Sequence, residues 1–179
     1  MDIIRQKGWS EQELIAQGFR YYHSRKQVSM IRRLPVEEAP MHIQTEWDTL
    51  VVHAGYYIAY RAGDTLHPRL EDYHPRPINP EIFQKTYAPW DEPYSTLTPT
   101  ERHLYSLGCR PYYKKVGVWA KRITHEIMVQ SIESSEPAVV PPGAWVCVGI
   151  RGEPWSTTDD WIRARYHVPE SAFLATFTR

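Results

Sequence analysis

Cysteine is scarce in this chain of 179 residues: Cys109 and Cys147 are the only two. Two thiols cannot build a disulfide framework, and neither stands in a CxxC or Cys/His spacing that would hold zinc. The expected compartment is therefore a reducing one, the cytoplasm. Neither sign of charge is in excess, with 21 Lys and Arg against 21 Asp and Glu. Such a balance removes the long-range field that draws proteins onto nucleic acid or anionic membrane, so neither is expected as a partner. No run of about 18 apolar residues occurs, and the opening segment MDIIRQKGWSEQELIAQGF is too charged and interrupted for a signal peptide. Three catalytic or binding signatures are missing as well: HExxH, GxSxG and a glycine-rich phosphate cradle.

What the chain has in quantity is aromatic residues and proline: 12 Tyr, 7 Trp and 15 Pro. β-sheets favour aromatic side chains and turns favour proline, so this composition points to short strands and fixed turns rather than long helices. With 42% hydrophobic residues there is enough apolar material for a sizeable core.

A pattern recurs along the chain. One stretch opens with Tyr21-Tyr22, passes through VSMIRRLP and MHIQTEW, and reaches Gly55 in HAGYYIAYRAGD. A second opens with Tyr112-Tyr113, passes through VWAKRI and IMVQSIES, and reaches Gly143 in PPGAWVCVGIRGE. The first tyrosine and the glycine are 34 residues apart in one stretch and 31 in the other. Each glycine precedes an aromatic-rich strand, then a second glycine followed by an acid: Gly63-Asp64 and Gly152-Glu153. Each stretch closes on a short helical segment ending in tyrosine, PEIFQKTY through Tyr87 and DDWIRARY through Tyr166. Asn79 or Pro80 in one, and Asp159 in the other, supply helix-start chemistry.

The expected fold is α+β: two tandem β-rich units, each ending in a short helix, packed as one compact body. The expected parts are an N-terminal helix in 1–20, a first copy in 21–90, a linker with a short helix in 91–111, a second copy in 112–168 and a tail in 169–179. Ser10 as N-cap, Glu13 as its capping-box partner and Gly18 as stop mark the first helix. The linker helix runs from Thr98 to Leu107 and closes on Gly108. VSMIRRL, with mixed faces, predicts an edge or partly covered strand, whereas YYIAY and WVCVGI predict central strands. HPRLEDYHPRP, residues 67–77, belongs to the first copy alone and predicts an exposed loop.

The segments PPGAWVCVGIRGEPWS and DDWIRARY resemble the PGDYG protein family, small bacterial and phage proteins whose segments read Pro-Gly-Asp-Tyr, a strand, Gly-Glu, then Pro-Asp-Ile-Phe and Thr-Tyr. Pro142-Gly143 and Gly152-Glu153 match, with Ala144 in place of the aspartate and Trp145 in place of the tyrosine. In the first copy Gly55, Tyr57, Pro80-Glu81-Ile82-Phe83 and Thr86-Tyr87 match, while Ala54 and Tyr56 replace the proline and aspartate. The resemblance covers about half the chain and supports the repeat; it implies no activity.

Catalytic readings find little support. Carboxylate pairs such as Glu37-Glu38 and Asp159-Asp160 are adjacent and need not converge on one bond. Cys109 beside Arg110 could carry a lowered pKa, but a small core residue at a helix end accounts for it better. His67 and His74, with Glu71 and Asp72 between them, could gather round a cation; an exposed, solubilised loop is the simpler reading, and neither a metal nor a cofactor is expected. Binding has more to work with, because aromatic rings stack on planar ligands and arginine grips carboxylate or phosphate. Tyr57 and Trp145 hold matching places before the two central strands. Arg61 and Arg151 follow those strands, then Asp64 and Glu153. These six residues define the candidate site: a cleft between copies holding a small planar or anionic ligand. The alternative is a protein-interaction module docking through residues 67–77 and 90–94, and an enzyme of unknown class comes third.

Overall fold

The computed structural model describes residues 2–170. It is mixed α+β. The chain runs β1 (Ile3–Ile4), α1 (Glu11–Ala16), β2 (Arg20–Tyr22), β3 (Ser29–Arg33), β4 (Met41–Gln44), β5 (Thr49–Val52) and β6 (Tyr57–Tyr60). It continues with β7 (Arg76–Ile78), α2 (Pro80–Thr86), β8 (Tyr87–Pro89), α3 (Pro99–Ser106), β9 (Arg110–Lys114) and β10 (Val118–Arg122). The last elements are β11 (Ile127–Val129), β12 (Ala138–Val140), β13 (Trp145–Val148), β14 (Pro154–Thr157) and α4 (Asp159–Arg165).

Two compact units result, and their boundaries differ from those expected. Among the described residues, unit 1 comprises 2–25, 44–49 and 116–170, and unit 2 comprises 26–43 and 50–115. The segment 91–111 is therefore no linker. It carries α3 and the start of β9, and Leu104 and Cys109 are buried in the core of unit 2. Residues 1–20 hold a strand besides the helix. Of the expected tail 169–179, residues 171–179 lie outside the described residues.

Unit 1 is built on the four-stranded antiparallel order β14-β13-β10-β2. Alternation along β10 and β13 sends side chains to opposite faces. On one face Tyr22, Val118, Ala120, Trp145 and Cys147 pack against Ile162 and Tyr166 of the α4 segment. On the other Val146 and Val148 join Phe19, Leu14 of α1, and the three-stranded sheet β1-β11-β12. A sheet covered on both faces has no polar side, which is why WVCV reads apolar throughout and is buried at all four positions.

Unit 2 is built on the five-stranded order β7-β6-β3-β9-β8, with β4 and β5 forming a separate two-stranded pair. Met30, Tyr60, Leu104 and Cys109 share one core, and Ile31, Ile78 and Phe83 of α2 form another on the opposite face. β3 lies inside this sheet between β6 and β9 rather than at an edge, and it is partly covered as expected, buried over Ser29, Met30 and Ile31 with Arg32 half-buried and Arg33 exposed. Its arginines explain the misreading. Arg32, half-buried, is accommodated by donating from Nε to the Tyr60 hydroxyl at 3.0 Å and forking onto Glu38 at 2.7 and 2.8 Å.

Helix starts follow local chemistry. Ser10 caps α1 with Glu13 reaching back, and Thr98 caps α3 with Glu101 reaching back. Asn79 caps α2, with Pro80 in the first turn. In α4 Asp159 stands in the first turn as expected, where its carboxylate suits the positive helix end, and Thr158 before it is the cap, accepting from the Trp161 amide.

Candidate functional site

The six residues expected to line one cleft are divided three and three between the units. In unit 2, the Tyr57 ring lies parallel to Phe83 with centroids 3.8 Å apart, so one of its faces is spent on packing. Arg61 and Asp64 are exposed in the connection after β6, where the Arg61 amide donates to the Tyr73 carbonyl. In unit 1, Trp145 is 1% exposed, and its Nε1 donates to Asp159 at 2.9 Å. It is a core residue with no face for a ligand. Glu153 is also buried, and its carboxylate accepts from the Arg151 amide within a tight turn. Of the six, Arg151 alone borders a groove described below.

That turn, residues 149–152 between β13 and β14, shapes one wall of a groove of about 420 Å³ in unit 1. Two glycines make it possible. A side chain at Gly149 would meet the Glu153 carboxylate, and one at Gly152, whose φ is +71°, would run into the Lys7 backbone carbonyl. The turn and the segment before α1 therefore lie in direct contact, and the Gln6 side chain donates to the Arg151 carbonyl at 3.2 Å.

The groove floor comes from strand register. Tyr21 of β2 stands opposite Trp119 of β10, which stands opposite Val148 of β13, so the three form a row across one sheet face. The Tyr21 and Trp119 rings meet edge to face at 5.6 Å, and the Tyr21 hydroxyl accepts from the Gly117 amide at 2.7 Å. Trp9 and Leu14 complete the apolar lining. Charge is added at the rim. The Lys7 ammonium sits 4.4 Å over the Trp9 ring and 2.6 Å from Glu13, whose carboxyl is held below its ordinary pKa chiefly by that hydrogen bond. Arg151 is exposed, and Glu11 adds an acid. Aromatic walls with cations at the rim suit a flat ring carrying negative charge.

Sequence reading missed Lys7, Trp9 and Trp119 and treated Tyr21 only as a landmark. Alternation could have found the pair on the strands: with Tyr22, Val118 and Ala120 inward, Tyr21 and Trp119 face the other side.

A second groove in unit 1, of about 320 Å³, is lined by Trp47, Asp48, Thr49 and residues 134–138. Its polar groups largely satisfy one another: Ser134 donates to Asp48 at 3.1 Å, and the Thr49 hydroxyl to Gln44 at 2.6 Å. Next to it in sequence, Glu133 is pushed up to about 7 by burial, with the like charges of Glu153 and Asp48 adding to the effect.

The remaining sequence candidates are structural. Cys109 is buried and its thiol is pushed up to about 11, since desolvation outweighs the pull of Arg32 and Arg110. Among the described residues, no group of three His, Cys, Asp or Glu side chains is placed to hold a metal ion. The 67–77 loop is anchored rather than wholly exposed: Tyr73 is buried, its hydroxyl bonds the amide and carbonyl of His67, and His103 Nε2 lies 2.8 Å from that carbonyl. Among the described residues no helix is long and apolar enough to cross a membrane. Compared with family models, curated proteins and solved structures, the chain matches none.

Proposed function

We propose that this chain is a cytoplasmic, non-catalytic binding protein for a small planar or anionic ligand, and that the ligand seats in the aromatic groove of unit 1. The observation that carries the reading is the pair Tyr21 and Trp119, exposed and half-buried, beside Trp9 over a floor closed by the buried Val148, with Lys7 and Arg151 at the rim. Stacking supplies affinity for a ring, and Arg151 brings a cation to a rim where Lys7 is already paired with Glu13. The site differs from the one expected from sequence, sharing only Arg151 with it.

A thermal-shift screen over nucleotides, aromatic carboxylates and neutral aromatic compounds tests the reading, because a ligand at a hundred times its Kd stabilises the folded state by about 2.7 kcal/mol. The expected hits are anionic aromatic compounds whose shift disappears in Trp119→Ala and Arg151→Ala and persists in Arg61→Ala. Absence of any hit, or hits indifferent to Trp119, would sink it. The alternative, a protein-docking role for residues 67–77 and 90–94, draws on Tyr94, which is 53% exposed. It requires a co-purifying protein lost in Tyr94→Ala with the groove intact.

A further inference from the structure

The helix–strand arm α1-β2 and the arm α3-β9 are alike in detail. Each helix opens with a capping box, Ser10 with Glu13 and Thr98 with Glu101. Each buries one leucine, Leu14 and Leu104, whose carbonyl accepts from the amide of a buried residue five positions on, Phe19 at 2.9 Å and Cys109 at 3.1 Å. Each stops at a glycine of positive φ, Gly18 and Gly108. The arginines that follow repeat one pattern. Arg20 Nη1 donates to the Phe19 carbonyl at 2.8 Å and the Ile15 carbonyl at 3.3 Å, and Arg110 Nη1 donates to the Cys109 carbonyl at 2.8 Å and the Tyr105 carbonyl at 3.4 Å.

The sheets that receive these arms are alike too. Arg33 pairs with Tyr57 across β3 and β6, and Arg122 with Trp145 across β10 and β13. At the strand ends Gly55 donates to Leu34 and Leu34 to Tyr56, as Gly143 donates to Ile123 and Ile123 to Ala144. On the other side of β3 and β10 the arms dock in one register: Arg20 opposite Ala120, and Arg110 opposite Ile31. The chain order, however, is crossed. The arm that precedes β3 completes the sheet of β10, and the arm that precedes β10 completes the sheet of β3.

We infer that the chain holds two copies of one arm-plus-body repeat with their arms exchanged, so that the free edge of each body, β3 or β10, is a docking edge for the arm of a second copy. The N-terminal helix and the helix before β9 are then the first elements of the two copies. The inference stands apart from the ligand groove and survives its failure.

Two experiments on the whole protein test it. A protease site inserted in the exposed stretch 91–96 allows the folded chain to be cut between copies. With exchanged arms the two fragments elute as one species at the mass of the intact chain and unfold in one transition; two species in non-denaturing buffer would overturn the exchange. In a second variant, residues 100–112 are replaced by the sequence of 10–22 with Cys109 retained, which keeps the docking register. This variant is expected to unfold cooperatively within about 6 °C of the parent Tm, a shift of about two kcal/mol in a chain this size. The same graft displaced by one residue flips the strand's side chains to the other face and rotates the helix by roughly 100°, and should lose the transition. An aligned graft no more stable than the displaced one would overturn the equivalence of the arms.

Discussion

In unit 1 the cross-strand row Tyr21, Trp119 and Val148 ends at the short connection 149–153 and borders a groove. In unit 2 the row in the same register is Pro111, Met30 and Tyr60, and the connection from β6 to β7 is the long stretch 61–75. There Met30 and Tyr60 are 1% and 4% exposed, packed with Tyr73, which belongs to that long connection. One connection thus separates a core from a candidate binding surface. A long loop can fold back and bury an aromatic anchor, whereas the short connection reaches only its own end of the row, so Val148 and Tyr60 are buried in both units while Trp119 stays half-buried at a groove and Met30 is sealed.

The largest test of this contrast is Tyr73→Ala. It removes a fully buried ring that bonds the His67 backbone and shares one core with Met30 and Tyr60, so a loss of about 3–5 kcal/mol is expected in urea unfolding, in the range for deleting a large core side chain. A loss below about 1 kcal/mol would show that the loop does not close the row. Next in size is Gly152→Ala in the short turn. The added carbon meets the Lys7 carbonyl at a backbone angle that disfavours a side chain, and a cost of about 2–3 kcal/mol is expected. Gly108→Ala, at φ +105° but with open space, isolates the backbone part and should cost less.

These contrasts mark how far the sequence was legible. Capping boxes, stop glycines and the α+β composition could be read directly, because each rests on chemistry within a few residues: Ser10 with Glu13, Thr98 followed by a helix closed by Gly108. Strand position was harder. The arginines of β3 suggest an edge, and only the hydrogen bond from Arg32 to Tyr60 on the neighbouring strand, beside the local pairing with Glu38, shows why an arginine fits inside a sheet. The candidate site was the least legible part. Tyr57 and Trp145 do occupy the same place in their sheets, opposite Arg33 and Arg122, yet one stacks on Phe83 and the other is sealed under α4. Matching position fixed their packing role, and burial depends on contacts that sequence spacing does not encode. The linker reading of 91–111 failed for a related reason: a Pro/Ser/Thr stretch beside a helix looks like a connector unless the helix is known to bury Leu104.

A pH effect of intermediate size belongs to unit 1 alone. Glu133 is raised from the ordinary 4.5 to about 7, so between those values the folded protein holds a proton that the unfolded chain has released. Stability must then fall as pH rises from about 4.5 to 7 and level off above it, by about 2 kcal/mol given that each pKa unit is worth 1.36 kcal/mol and the side chain keeps some contact with water. Glu133→Gln should remove this slope and leave the protein more stable than the parent at pH 8. Unfolding curves at four pH values decide it, and a slope unchanged in the variant would assign the effect elsewhere.

The smallest expected stability change is the most informative about function. Trp119 is half-buried at the groove, while its counterpart by register, Met30, is sealed in a core. Trp119→Ala should therefore cost far less than Met30→Ala, about 1 kcal/mol against the 2–5 kcal/mol usual for a buried methionine. If the groove serves only as an accident of the short turn, that small loss is the whole effect. If it binds a ring, the same variant abolishes a ligand-induced rise in Tm while leaving the unliganded Tm within a few degrees of the parent. The separation between those two readouts distinguishes a tryptophan kept for packing from one kept for contact, because packing residues lose stability with or without ligand and contact residues lose only the difference that ligand makes.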